Sequence, residues 1–507
     1  NMTVYNINLG IGWASSGVEY AQAYRAQLLR RIQQPAKFIF MDMILADNIQ
    51  HLTENIGFLD EEVIWLYNYF TDIKIAPTTV TLDQVLAQVA GQPERSEREG
   101  KIVRYFYPQD DQFITCYLRQ EDQDFVEHVE YVSRGRLIRK DYFSYVRYAS
   151  EYFAPHNDAA TLYQRRFYHE DGSVAYDMLI EDGQEELYRF PDRIFYSKAE
   201  LVRYFLQCLQ LQADDVVILD RETGIGQVVF EESQKAKLGV VVHAEHFSEN
   251  ASSDDYILWN NFYDYQFTNA DKVDFFIVAT EAQKTILEQQ FQHYSDKQPK
   301  IVTIPVGSLD QLTYPKEPRK PYSMITASRL ATEKHIDWLV AATVQAHAQL
   351  PELTLDIYGK GGEEEKLRRR IEEAGAQDYI RLKGHSDLSQ IYAGYELYLT
   401  ASTSEGFGLT LMEAVGSGLP LIGFDVRYGN QTFIDDGKNG YLIPVSSNQV
   451  EDQIIAAFVE KIVALFSQGR QQEMSQHSYQ VAENYLTSRV EAAWSQLLKE
   501  VRDDSAL

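Results

Sequence analysis

The chain has 507 residues, 45% of them hydrophobic and 24% charged, with a formal net charge of −28. That length allows two or three domains with cores of their own. The acidic balance repels phosphate backbones, so no nucleic acid is expected as a partner, and an anionic ligand must be held by a few placed cations. Cys116 and Cys208 form neither a disulfide framework nor a zinc spacing. No basic segment followed by a long apolar stretch opens the chain, and no run reaches the ~18–20 apolar residues of a membrane span. A cytoplasmic protein is expected, at most peripheral at the inner face of the cell membrane.

Residues 4–8 pattern as a short strand, followed by a glycine-punctuated loop (Gly10, Gly12, Gly17), a helix over 18–32 and a strand at 37–41. Strand, glycine loop, helix, strand is the start of a doubly wound parallel sheet. From 101 to about 188 the residues alternate between turn signals such as Gly135 and Asp171-Gly172, which predicts an antiparallel meander. This region holds 13 of the 34 tyrosines between 101 and 196, which fits sheet propensity and a partner or acceptor platform equally. The α/β pattern resumes with a helix at 198–211 and buried-type strands at 216–219, 239–242 and 275–279, so the meander reads as an insertion. A polar, proline-rich junction at 316–321 predicts a linker. Beyond it strands (322–327, 353–358, 379–382, 397–400, 421–424) alternate with helices (334–349, 363–374, 409–417), and one helical stretch at about 450–500 closes the chain. The expected division is 2–76 with 192–316 as an acceptor-side Rossmann-like domain, 77–191 as the inserted β-meander, 317–485 as a nucleotide-sugar domain and 486–507 as a terminal helix.

The chemistry concentrates in 400–420. Glu405 precedes a glycine turn, Gly406-Phe407-Gly408, and Glu413 sits on the helix that follows. The glycines let backbone approach a ligand, and the helix beginning at Leu409 and Thr410 offers N–H groups to an anion. One carboxylate can then take sugar hydroxyls and the other a ribose. Arg329 at a strand end, followed five residues later by Lys334 at a helix start, suits a diphosphate. His243 closes a buried strand, where ligands bind in open α/β sheets. His243-Ala-Glu-His246 fits no zinc helix motif, and Asp122-Gln-Asp124 reads as a solvated turn, so no metal is expected.

The 400–420 stretch resembles the glutamate-x7-glutamate motif of the family 4 retaining glycosyltransferases. Ser328–Lys334, Leu355–Gly362, Leu382–Ser386 and Gly437–Leu442 match further family segments in order. The resemblance implies a GT-B fold, two Rossmann-like domains facing a cleft, with the β-sheet insert in the N-terminal one. It also implies that Arg329 and Lys334 grip the diphosphate, that Gly359 lies on the nucleotide side, and that His385 and Ser386 lie near the base. The loop at Ser16, Gly17 and Val18 would meet diphosphate and sugar, and His243 the transferred sugar. The whole chain, insert included, resembles the GtfA-type subunits of the accessory-Sec O-GlcNAc transferases. That narrower likeness implies UDP-GlcNAc as donor with no cofactor, Ser/Thr hydroxyls of a serine-rich repeat adhesin as acceptor, and a GtfB-type partner docked on the insert. One departure stands out: after the strand at 421–424 the chain reads Asp425-Val-Arg427-Tyr428-Gly429-Asn430-Gln431, where many relatives carry a glycine-rich, glutamate-containing stretch.

Three other readings compete. A wall teichoic acid transferase shares the architecture and needs a basic channel, for which Arg134, Arg136, Arg139 and Lys140 are candidates. A non-catalytic acceptor-binding subunit should lack the set Arg329, Lys334, Glu405 and Glu413, which is present. A phosphorylase needs a longer chain and a lysine motif for pyridoxal phosphate that is not found.

Overall fold

The computed structural model describes residues 2–13, 17–109, 111–221, 224–243 and 245–504. Contacts divide the chain into two compact units: Asn1–Val241 with Asn261–Asp274 and Val501–Leu507, and Val242–Asn260 with Phe275–Glu500.

In the first unit, five parallel strands run in the order Val63–Trp65, Ala36–Phe40, Val4–Asn8, Val216–Leu219 and Lys237–Val241. All four residues of Val216–Leu219 are buried, as an apolar run covered on both faces requires. Helix Gly17–Arg31 packs its buried Val18, Ala21, Leu28 and Leu29 inward. Its buried Arg25 reaches the carboxylate of Asp220, at the end of strand Val216–Leu219, through a bond of 2.8 Å. Asp220 also accepts from Gln22, so a charge with no exposed surface is fully engaged.

Ten antiparallel strands, from Arg95–Glu99 to Ile194–Phe195, lie in space in their order along the chain. The meander is therefore present and begins before residue 101 and ends after residue 188. Helix Leu82–Ala87 packs Leu82 and Val85 on its apolar side with Val103, Ile114, Cys116 and Val129. Its tyrosines are divided: Tyr142, Tyr148, Tyr168, Tyr176 and Tyr188 are buried, whereas Tyr163 and Tyr196 are exposed. Tyr176 stacks between Phe167 and Phe190, at 4.9 and 4.6 Å, and Phe167 in turn meets Trp65 of the parallel sheet.

The second unit holds a six-stranded parallel sheet, in the order Ile380–Gly384, Thr354–Tyr358, Ser323–Ala327, Leu397–Leu399, Leu421–Phe424 and Gly440–Ile443. This is the doubly wound order 3-2-1-4-5-6, whose strand ends form a ligand crevice. The closing helical stretch comprises three helices: Glu451–Gln468, Gln471–Glu483 and Thr487–Asp504. Gly469, left-handed at φ 66°, ends the first of them. The 316–321 segment has neither helix nor strand, yet it is fastened. Arg319 donates to the carbonyls of Ala393, Tyr395 and Ser417 and to the Tyr479 hydroxyl.

Candidate functional site

Five loops at the C-terminal edge of the second unit's sheet carry most of the residues singled out from the sequence. Three of them are laced together by backbone. Ser328 N–H donates to Tyr358, Leu330 N–H to Lys360 and Gly359 N–H to Gly384. The fit is so close that a Cβ on Gly359 would lie 1.8 Å from the Ser328 carbonyl oxygen, and one on Gly361 2.3 Å from that of Leu330. The glycines near Lys360 thus fix the Arg329 loop by backbone approach.

The fourth loop leads from Leu397–Leu399 to helix Leu409–Gly416. Gly408 caps that helix in a left-handed conformation, φ 94°, with no side-chain cap. The first N–H groups of the helix therefore face the loop rather than a capping side chain. Phe407 is buried against Phe433 and Tyr485, anchoring the turn, while Leu409 is exposed. Tyr398 fastens the helix start, donating to the Ala327 carbonyl and lying 3.0 Å from the Thr410 hydroxyl.

Lys334 and Glu405 meet at 3.5 Å, with side chains only 19% and 24% exposed. A cation and a carboxylate separated by 71 residues are thus joined at one edge of the sheet. Lys334 ends the short turn Thr332–Lys334, and His335 beyond it is left-handed at φ 48°. Glu413 accepts from the Tyr392 hydroxyl at 3.1 Å. The protein around its carboxyl pushes the pKa up, the Tyr392 bond opposes this, and Asp387 adds to the rise. Arg329 is not gathered in: it is exposed, 3.5 Å from Glu333. His385 and Ser386 are also exposed.

His243 is buried just beyond strand Lys237–Val241. His246 is fully buried and bonded at both nitrogens, to Gln290 at 2.6 Å and to Gln283 at 3.1 Å. Burial lowers its pKa to about 4, so it stays neutral and serves as an anchor. In the first unit Gly17 opens its helix and is exposed, Val18 is buried, and Ser16 lies outside the described residues. Val18 lines a cavity of about 430 Å³ at the strand ends, together with Gly10, Ile11, Asp42 and Arg221. Asp124 of the D-x-D triplet is paired with Arg98 at 3.0 Å, on the surface.

Among the described residues one cluster has cation-like spacing: Asp47, His51 and Glu127, in the first unit. Its groups already have protein partners, since His51 meets Glu127 at 2.7 Å and the Trp13 indole donates to Asp47 at 2.7 Å.

Sequence reasoning missed Tyr392, Tyr398, Tyr428 and Glu245. Each acts by a hydroxyl or carboxylate that reaches across elements, which no local spacing reports.

A parallel 3-2-1-4-5-6 sheet whose edge carries paired Lys334 and Glu405, with Glu413 on the next helix, belongs to a glycosyltransferase of the GT-B class. Residues 313–479 match the family of glycosyl transferases group 1, and residues 95–192 match the GtfA extended beta-sheet domain. Over 506 residues the chain is 97% identical to the UDP-N-acetylglucosamine–peptide N-acetylglucosaminyltransferase GtfA subunit of Streptococcus gordonii, covering 100% of both chains. The chain belongs to this GtfA-subunit family. It superposes on a chain of the crystal structure of a GtfA/B complex with a TM-score of 0.96 at 97% identity, covering 99% of this chain and 100% of that one. The pneumococcal O-GlcNAc transferase GtfA, solved in complex with UDP and GlcNAc, gives a TM-score of 0.89 at 65% identity, covering 99% of each chain.

Proposed function

We propose that this chain transfers GlcNAc from UDP-GlcNAc to serine or threonine hydroxyls of a polypeptide, as the glycosyltransferase subunit of a complex with a GtfB-type partner. The observation that carries the reading is the Lys334–Glu405 pair at the sheet edge, one helix away from Glu413. Transfer builds positive charge on the sugar ring and negative charge on the leaving diphosphate. Lys334 and Arg329 are the cations for that diphosphate, aided by the N-termini of helices Gly17–Arg31 and Leu409–Gly416. Glu405 orients the sugar through its hydroxyls, Glu413 accepts from the ribose, and His243 contacts the transferred sugar. Gly359, His385 and Ser386 serve the nucleotide, and the loop at Ser16 to Val18 the diphosphate and sugar.

In this reading the anomeric configuration is retained by front-face attack on a short-lived ion pair, and no metal takes part. Its functional division is 2–76 with 192–316 on the acceptor side, 77–191 as the partner-binding insert, 317–485 for the nucleotide sugar and 486–507 as the terminal helix. The polypeptide is a serine-rich repeat adhesin modified in the cytoplasm. Among the described residues no helix is long and apolar enough to cross a membrane. Two of the four basic residues of the wall-polymer reading are already matched by acids, Arg139 by Asp141 and Lys140 by Glu130, which favours the polypeptide acceptor.

The test is UDP release from UDP-GlcNAc, with the partner, in EDTA, offering a serine/threonine-rich polypeptide or poly(ribitol phosphate). Turnover on the polypeptide that disappears in Glu405→Ala is the expected result. Turnover on the polyphosphate alone would move the chain to the wall-polymer enzymes.

A further inference from the structure

The segment where the sequence departs from the family pattern has a defined place at the site. After strand Leu421–Phe424 the chain passes through Arg427 and Tyr428 into the short helix Gly429–Phe433. The backbone N–H groups of Tyr428 and Gly429 both donate to the Glu405 carbonyl, at 2.9 Å each. A Cβ on Gly429 would lie 2.2 Å from the Phe407 carbonyl oxygen, so this loop lies directly on the backbone of the Glu405 turn. Tyr428 is 2% exposed, and its hydroxyl donates to Glu245. The second oxygen of Glu245 takes the Arg427 guanidinium at 2.9 Å, and Glu249 adds a longer contact to Arg427 at 3.4 Å. Glu245 stands two residues after His243 and just before His246, whose clamped ring also lies against that of Tyr428, 6.5 Å between centroids.

The geometry points to Tyr428 as a positioning residue: with Glu245 and Arg427 it sets the distance between the Glu405 turn and the His243 segment. The inference rests on the reading of Glu405 and His243 as groups that meet the sugar. The phenol is buried, but the Arg427 and Glu245 side chains are 27% and 41% exposed, so their ion pair adds little stability. What they supply is one defined separation, because a directional bond tolerates less sliding than an apolar contact. Burial and Glu245 also push the Tyr428 pKa up, so the hydroxyl keeps its proton through the working range.

The experiment compares Tyr428→Phe, Glu245→Gln and the double variant with wild type, full-length and with the partner. It measures kcat and KM for UDP-GlcNAc, affinity for UDP alone, and Tm. Loss of a hydrogen bond to a charged group should lower kcat about tenfold in Tyr428→Phe. KM for the donor, UDP affinity and Tm should change little, because the phosphate and ribose groups stay in place. The double variant should be no slower than the slower single variant, since both remove one bond. Wild-type kcat in Tyr428→Phe would overturn the assignment. So would a parallel fall in UDP affinity and Tm, which marks a purely structural role, or single-variant effects that multiply. A wild type that does not turn over UDP-GlcNAc overturns the underlying reading, and this inference with it.

Discussion

The antiparallel insert and the parallel sheet of the second unit solve opposite problems. In the insert, neighbours in space are neighbours in sequence, and side chains lock adjacent strands. Asp177 receives Arg166 at 2.8 Å and Arg189 at 3.1 Å, and Arg165 bridges Glu151 and Glu185. In the six-stranded sheet the order 3-2-1-4-5-6 brings together loops that are distant in the chain, and the candidate site residues sit on those loops. Side-chain pairs hold the first region; backbone approach aims the second. Substitutions should therefore separate into two kinds, those that cost stability and those that cost turnover.

The largest expected effect tests the aiming. Lys334→Met and Glu405→Ala should each lower kcat by roughly 10²–10³, the scale for removing a charge-stabilising group, with Tm nearly unchanged. A fall of less than threefold would detach the pair from the reaction. Next is Gly359→Ala, whose added Cβ meets the Ser328 carbonyl at φ 128°. It should lower stability by about 2–4 kcal/mol and turnover with it. Unchanged Tm in thermal melts would show that the loops are not locked by backbone.

The insert provides the counter-test. Burial alone would push the Asp177 pKa up, but the bonds from Arg166 and Arg189 hold it below the usual range. A depressed carboxylate stabilises the fold above its unfolded pKa and loses that contribution as pH falls through the folded value. Asp177→Asn should therefore cost about 1–3 kcal/mol at neutral pH, and less in acid, while kcat per folded molecule stays at the wild-type value. A lowered kcat with unchanged stability would reverse the comparison.

Glu413 sharpens it at the smallest scale. Its raised pKa means that the charged form is disfavoured in the fold, a penalty present above the folded value and relieved as pH drops. Glu413→Gln should raise Tm by about 1–2 °C while raising KM for UDP-GlcNAc about three- to tenfold. In the wild type, KM should begin to climb with acidity at a higher pH than an ordinary glutamate would give. A flat KM across that range would remove Glu413 from the ribose.

Much of this was legible in the sequence. Buried strands such as 216–219 and 421–424 announce themselves as apolar runs, and Gly408 and Glu413 mark a turn and a helix by their spacing. The first strand of the meander lies outside the alternating pattern at 101–188, because Arg95–Glu99 is a fully exposed strand with no apolar alternation. The break at Gly469 was present as a residue but was hidden within a long amphipathic run. The contact of Tyr428 with Glu245 was beyond reach: the two lie 183 residues apart and meet only once both strand-end loops are built. What could be seen was the departure itself, at 425–431.

One topological detail has a consequence for how the protein is made. Strand Val4–Asn8 lies between Ala36–Phe40 and Val216–Leu219. At ribosomal speeds of about 5–20 residues per second, the third strand follows the second by roughly 10–40 s. During that interval one edge of the first strand waits unpaired on the nascent chain, while every hairpin of the meander can close as it emerges. The insert is finished before the sheet that carries it, so its birth order is the reverse of its place in the architecture.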